Sequence, residues 1–327
     1  MKIVFNTSQP QAAASLFYYQ GLETLENISF FDDNFSKYDI ALVMTYDHYL
    51  IEKIKKEYKN LKIGLIDPRS YAVLESAKQS DFLIVDSVEM EDYWRIAKKP
   101  IFRYVEYPKI NWTKENDEKR KNLKKDQDII YIGYHGNLLH IMEGSKTITP
   151  ALEKLSEVYN IELILMSNNI TIEDEYLKFL PNNIKINKIQ WSMDNYAKFL
   201  SLSDIGIVPN SLGLEPKQNS KTGDPKTDYF LSFKMPSNPG RFITFGHMGI
   251  PVVADFFPSS LQLLQNGVGF VAHSESAWYY CLESLIKSKA LREKMGTNLQ
   301  KMVNEKFNYE SQNKRLISFL QDNFGEE

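Results

Sequence analysis

Two cations and a proline-started helix share one short stretch, residues 234–255, KMPSNPGRFITFGHMGIPVVAD. Ser237-Asn238-Pro239 has the form of a helix start: a capping side chain, then a proline whose missing N–H costs nothing at the first helical position. Arg241 falls in the first turn and Lys234 just before the helix. A helix N-terminus leaves N–H groups without partners and carries partial positive charge, so with two cations beside it the stretch is suited to hold an anion. An ordinary helix–turn–strand unit with two solvated cations fits the same residues. Gly249 reads as the helix stop, and Pro251-Val252-Val253-Ala254 as a buried strand that begins at once.

Two further groups stand where strands should end. The apolar run 38–44, YDIALVM, delivers Thr45, Tyr46, Asp47 and His48. Ligands gather at the carboxyl ends of strands in open α/β sheets, so Asp47 and His48 are candidates for substrate contact or acid/base work. The alternative is an Asp47 that caps the next helix, with a partly exposed histidine beside it. The run 128–132, DIIYI, leads into Gly133-Tyr134-His135-Gly136-Asn137, read as a loop whose glycines permit close approach of a ligand. An ordinary turn explains the glycines equally well. His135 and His140 have no metal-ligand pattern around them, and no metal site is expected.

The elements that must position these groups alternate along the chain. Strands are predicted near 2–5, 28–31, 38–44, 61–66, 82–85 and 101–105, then near 128–132, 162–166, 184–186, 203–210, 251–254 and 267–271, with helices in most of the gaps. This alternation predicts an α/β protein with two Rossmann-like units. Residues 114–127, KENDEKRKNLKKDQ, have Leu123 as their only apolar member and read as an exposed linker. The expected division is 1–115, a linker over 116–127, and 128–327. Residues 211–226 form a long polar run, either a lid or a surface insertion.

Composition narrows the function classes. The chain has 327 residues, 43% hydrophobic and 25% charged, enough for two globular cores. A net charge of −3 implies no general attraction to nucleic acid. The single cysteine, Cys281, rules out a disulfide framework and fits a reducing cytoplasm. The N-terminus MKIVFNTS reads as a first strand, not a signal peptide. Residues 49–60, YLIEKIKKEYKN, read as an amphipathic helix with a basic face. It either rests on anionic lipid, as a peripheral contact at the inner face of a membrane, or is simply solvated.

The stretch 234–255 resembles the donor segment of GT-B glycosyltransferases, in particular glycosyltransferase family four. There a short helix ends in glycine, followed by one residue and Pro-Val-Val, as at Gly249, Pro251, Val252 and Val253. The runs 80–110 and 128–320 also resemble the family. The resemblance implies two Rossmann-like domains facing across a cleft, an acceptor domain first and a donor domain second, with the last helix crossing back to the first. It implies transfer of a sugar from a nucleotide-sugar co-substrate to a glycan, lipid-linked or small-molecule acceptor, with no further cofactor and no metal. Retention of configuration and a role in bacterial surface glycan synthesis go with it. Arg241 and Lys234 would stabilise the leaving diphosphate. Donor contacts would fall on Gly133, His135, Gly136, Asn137, Asn210, Asn238, Gly240 and Thr244. The sequence departs from the family at two positions: Thr244 and Pro236 stand where the family has glutamates. That departure motivates a rival reading, a GT-B nucleotide-binding or scaffold protein without turnover, and a second one, another GT-B enzyme with an unusual donor.

Overall fold

In a computed structural model, residues 1–45, 47, 49–68, 73–123, 128–138, 140–141, 144–168, 179–210 and 238–325 are described. In chain order the elements are β1 (Ile3–Thr7), α1 (Ala13–Leu22), β2 (Ile28–Phe30), β3 (Ile40–Met44), α2 (Leu50–Glu57), β4 (Lys62–Ile66), α3 (Leu74–Gln79), β5 (Phe82–Val85), α4 (Val88–Trp94) and β6 (Ile101–Arg103). There follow α5 (Lys114–Leu123), β7 (Ile130–His135), α6 (Ile148–Ser156), β8 (Ile161–Ser167), β9 (Lys185–Gln190), α7 (Tyr196–Leu200), β10 (Ile205–Val208) and α8 (Gly240–His247). The chain ends with β11 (Val252–Asp255), α9 (Pro258–Leu263), β12 (Phe270–Ala272), α10 (Glu275–Lys287), α11 (Lys289–Lys306) and α12 (Tyr309–Phe324). Among the described residues, no helix is long and apolar enough to cross a membrane.

The strands form two six-stranded sheets, ordered β2-β1-β3-β4-β5-β6 and β12-β11-β10-β7-β8-β9. Every pairing is parallel. Parallel strands covered on both faces must be apolar throughout, and β3, β5, β8, β10 and β11 are buried at every residue. The described chain divides into two compact units. The first holds 1–109, 238–240 and 307–325, and the second 110–210 and 241–306. Val4, Val43, Leu65, Leu83 and Trp94 centre the first core. Ile132, Leu163, Ile207, Val253 and Trp278 centre the second.

The helix α12 packs within the first unit. Gln312 accepts from the Val105 N–H at 2.8 Å and donates to the Val105 carbonyl at 3.1 Å, as a neighbouring strand would. The Tyr309 hydroxyl accepts from the Tyr107 N–H at 2.9 Å, and the two rings stack with centroids 4.3 Å apart. Asn313 donates to the Gly21 carbonyl at 2.9 Å. Gly21 has to be bare here, because a Cβ would lie 2.5 Å from the Tyr309 ring.

Two local readings change. The strand at 128–132 continues as β7 through His135, so Gly133 lies in a strand and not in a loop. Its Cβ would sit 2.0 Å from the Ser203 hydroxyl, so this glycine makes room for packing. The charged run at 114–127 is helical over Lys114–Leu123. Thr113 and Asn116 exchange hydrogen bonds at its start in the manner of a capping box, and Arg120 donates to the Met248 carbonyl at 3.2 Å. Residues 258–263 form α9, with proline in its first turn.

Candidate functional site

The second sheet reverses direction at one place. From β7 the chain builds outward through β8 and β9, then returns to lay β10 on the other side of β7. A crevice opens outside the carboxyl ends of two strands that meet at such a switch point. Here those ends are His135, the last residue of β7, with Gly136 after it, and Pro209 and Asn210 after β10.

The helix α8 begins at this crevice. Asn238 accepts from the Gly240 N–H at 2.6 Å and donates to the Glu106 carbonyl at 3.2 Å, which fixes the start of the helix. A Cβ on Gly240 would come within 2.7 Å of the Glu106 carbonyl oxygen. The helix stops at Gly249, whose φ of +65° only glycine takes readily. The Ile250 N–H then closes the end on the Phe245 carbonyl at 3.0 Å.

Arg241 is anchored from two directions. Its Nη1 donates to the Pro209 carbonyl at 2.9 Å. Its own carbonyl accepts from His135 Nε2 at 3.2 Å; a carbonyl can only accept, so that nitrogen carries the hydrogen. Burial pushes the His135 imidazole down to about 4, with the Arg241 charge adding to the shift and the hydrogen bond opposing it. The ring is therefore neutral at pH 7. Gly136 has φ +132°, and a Cβ there would lie 3.3 Å from Arg241 Cδ. The arrangement is a guanidinium beside bare main chain at the first turn of a helix, which suits a phosphate.

The other expected contacts fall as follows. Asn137 is exposed at the end of the β7 turn, and its carbonyl accepts from the Tyr134 hydroxyl. Asn210 is buried, and its N–H donates to Asp255 at 3.4 Å. Thr244 is buried within α8. Gly133 lies within β7, where a Cβ would meet the Ser203 side chain. In the first unit, Asp47 is exposed and accepts from the Tyr49 N–H at 2.9 Å, capping the approach to α2. His48, Lys234, Pro236 and the run 211–226 lie outside the described residues. Among the described residues, no group of three or more His, Cys, Asp or Glu is placed to hold a metal ion.

Two residues at the same edge were not singled out from the sequence. Asp255 ends β11 and is buried, and burial raises its carboxyl above the usual range. It accepts from the Phe256 N–H at 2.8 Å and lies 3.4 Å from Nδ1 of His273, the residue after β12. The available signal was positional: each is the first polar residue after an apolar strand.

No protein-family model matches the chain. No curated protein matches it. Solved structures do. Sucrose-phosphate synthase from Thermosynechococcus elongatus superposes with a TM-score of 0.71 at 13% identity, over 99% of this chain and 99% of that one. Anabaena HepE in complex with UDP and glucose gives 0.69 at 14% identity, over 98% and 99%. A glycosyltransferase from Rickettsia africae gives 0.65 at 11%, over 100% and 99%. At such identities the likeness is one of fold, and the chain has the GT-B fold of these glycosyltransferases.

Proposed function

We propose that this protein is a glycosyltransferase that moves a sugar from a nucleoside-diphosphate donor to an acceptor hydroxyl. The observation that carries the reading is Arg241 in the first turn of α8 at the switch point of a parallel sheet, beside the bare main chain of Gly136. As the glycosidic bond to the donor breaks, the diphosphate gains negative charge. A guanidinium and helix N–H groups already aimed at that charge lower the barrier more than they strengthen ground-state binding. The structural likeness to Anabaena HepE, described with UDP, UDP-glucose and glucose, supports a donor of this class.

Finer parts of the reading belong to the same proposal. The transfer is metal-independent and retaining, Lys234 adds positive charge for the leaving diphosphate, and Asp47 and His48 serve the acceptor side. The acceptor is a glycan, a lipid-linked sugar or a small molecule in surface glycan synthesis, handled in the cytoplasm. Peripheral membrane contact through 49–60 is a separable part of the proposal. Of that basic face, Lys55 is paired with Asp81 and Lys56 with Glu52. Sedimentation with anionic vesicles tests it, and the absence of binding removes that part alone.

Thermal-shift titration with UDP, GDP, CDP and ADP tests the donor site, because a ligand that binds only the folded state raises its melting temperature. One nucleotide raises the melting temperature of the wild type and not that of Arg241→Ala. An equal shift in a folded Arg241→Ala protein overturns the reading. The scaffold alternative is favoured by the burial of Thr244 at the position of a family glutamate. Nucleotide binding without sugar transfer or donor hydrolysis selects it.

A further inference from the structure

The carboxyl edge of the second sheet carries a hydrogen-bonded string that runs well past the Arg241 crevice. His135 donates to the Arg241 carbonyl, and Arg241 donates to the Pro209 carbonyl. The next residue, Asn210, donates its N–H to Asp255 Oδ2 at 3.4 Å, and Asp255 Oδ1 faces His273 Nδ1 at 3.4 Å. The string thus touches β7, β10, β11 and β12 in the order in which they lie in the sheet.

Its far end is built like a ligand-facing imidazole. The Asp255 side chain is 3% exposed and the His273 side chain 49%. A carboxylate only accepts, so Nδ1 carries the hydrogen and Nε2 is turned away from Asp255. A buried carboxylate that fixes the tautomer and orientation of an exposed imidazole is how proteins aim a ring nitrogen at a bound group. The Phe256 ring lies 5.9 Å from the His273 ring and is 46% exposed. An aromatic face beside an aimed nitrogen suits a sugar ring, which has apolar C–H faces and hydroxyls at its rim.

The geometry points to His273, held by Asp255, as a binding residue for a sugar hydroxyl of the nucleotide-sugar donor, with Phe256 as the apolar wall. This rests on the donor reading proposed above. The edge strand β12 is two strand spacings from β10, roughly 10 Å. A diphosphate seated at Arg241 with one sugar ring attached covers that distance. Two rings in the donor carry such hydroxyls, the ribose and the transferred pyranose, and the affinity measurements tell them apart.

The test is calorimetric titration of wild type, His273→Phe, Asp255→Asn and Arg241→Ala. The probes are UDP, GDP, CDP and ADP, each with its glucose ester. His273→Phe keeps a ring against Phe256 and removes both nitrogens. It is expected to weaken the glucose ester roughly tenfold, the loss of one hydrogen bond of about 1.4 kcal/mol. Its melting temperature stays close to wild type. If the free nucleoside diphosphate keeps its affinity, the hydroxyl belongs to the transferred sugar. If both weaken alike, it belongs to the ribose. Asp255→Asn follows in the same direction with a smaller loss. Unchanged affinities in His273→Phe, with both ligands lost in Arg241→Ala, overturn the inference and leave the donor site standing. A wild type that binds none of the probes overturns both.

Discussion

The His135 ring donates to the Arg241 main-chain carbonyl at 3.2 Å, tying the end of β7 to the first turn of α8. The same residue that presents the cation is thus held by its main chain and, through Pro209, by its guanidinium. On the proposed reading, the donor-phosphate site is thereby held in place before the ligand arrives.

That tie has a pH signature. The folded His135 titrates at about 4, below the 6.5 of a free imidazole. A depressed value means the stabilisation is fully present above pH 6.5 and is lost as pH falls through 4. The shift amounts to at most about 3 kcal/mol, an upper bound because part of the residue remains accessible. Melting temperatures from pH 7 to 4 should therefore drop more steeply in wild type than in His135→Gln. Parallel curves would remove His135 from the account of acid sensitivity.

Gly136→Ala should impair ligand binding beyond its cost to stability. Its φ of +132° is strained for any side chain, worth about 1–3 kcal/mol, and the new methyl meets Arg241 Cδ at 3.3 Å. Thermal melting reports the first effect and nucleotide titration the second. A variant that melts early yet binds nucleotide as wild type does would separate Gly136 from the site.

Gly133→Ala should behave differently, as a packing defect. Its methyl would collide with the Ser203 hydroxyl, an overpacking that costs roughly 1–3 kcal/mol. Adding Ser203→Gly should recover part of the loss, so that the double variant is more stable than the two single effects predict. Strict additivity in urea denaturation would show that the collision is relieved elsewhere.

Tyr309→Phe should destabilise the first unit by about 1–3 kcal/mol. The hydroxyl is buried and bonded to both the N–H and the carbonyl of Tyr107, and phenylalanine keeps the ring stacking while removing both bonds. Urea denaturation followed by tyrosine and tryptophan fluorescence reads the change. A loss below a few tenths of a kcal/mol would mean that the ring stacking and the bonds of Gln312 and Asn313 secure the helix without this hydroxyl.

Apolar runs made the strands legible. Stretches such as 40–44 and 82–85 are buried on both faces, so period and burial agree. Gly249 was legible because a helix stop needs a left-handed residue, and it has one. Gly133 was not, since a glycine that opens a loop and one that admits a neighbouring hydroxyl look alike until Ser203 is placed 70 residues on. Nor was the helix at 114–123, whose start depends on the Thr113–Asn116 exchange more than on apolar periodicity. The Asp255–His273 pair joins residues 18 apart that become neighbours only because β11 and β12 pair in parallel register. Arg241 could be named from its position, but its two anchors come from strands far off in sequence.

The contacts made by α12 also set an order of events during synthesis. Val105, Tyr107 and Gly21 emerge from the ribosome well before their partners Gln312, Tyr309 and Asn313, which follow 207, 202 and 292 residues later. The first unit therefore waits for the whole of the second to be made before its outer surface is sealed. Nascent chains stalled anywhere before Tyr309 carry this unit open, and a fragment ending at residue 109 remains in that unfinished state.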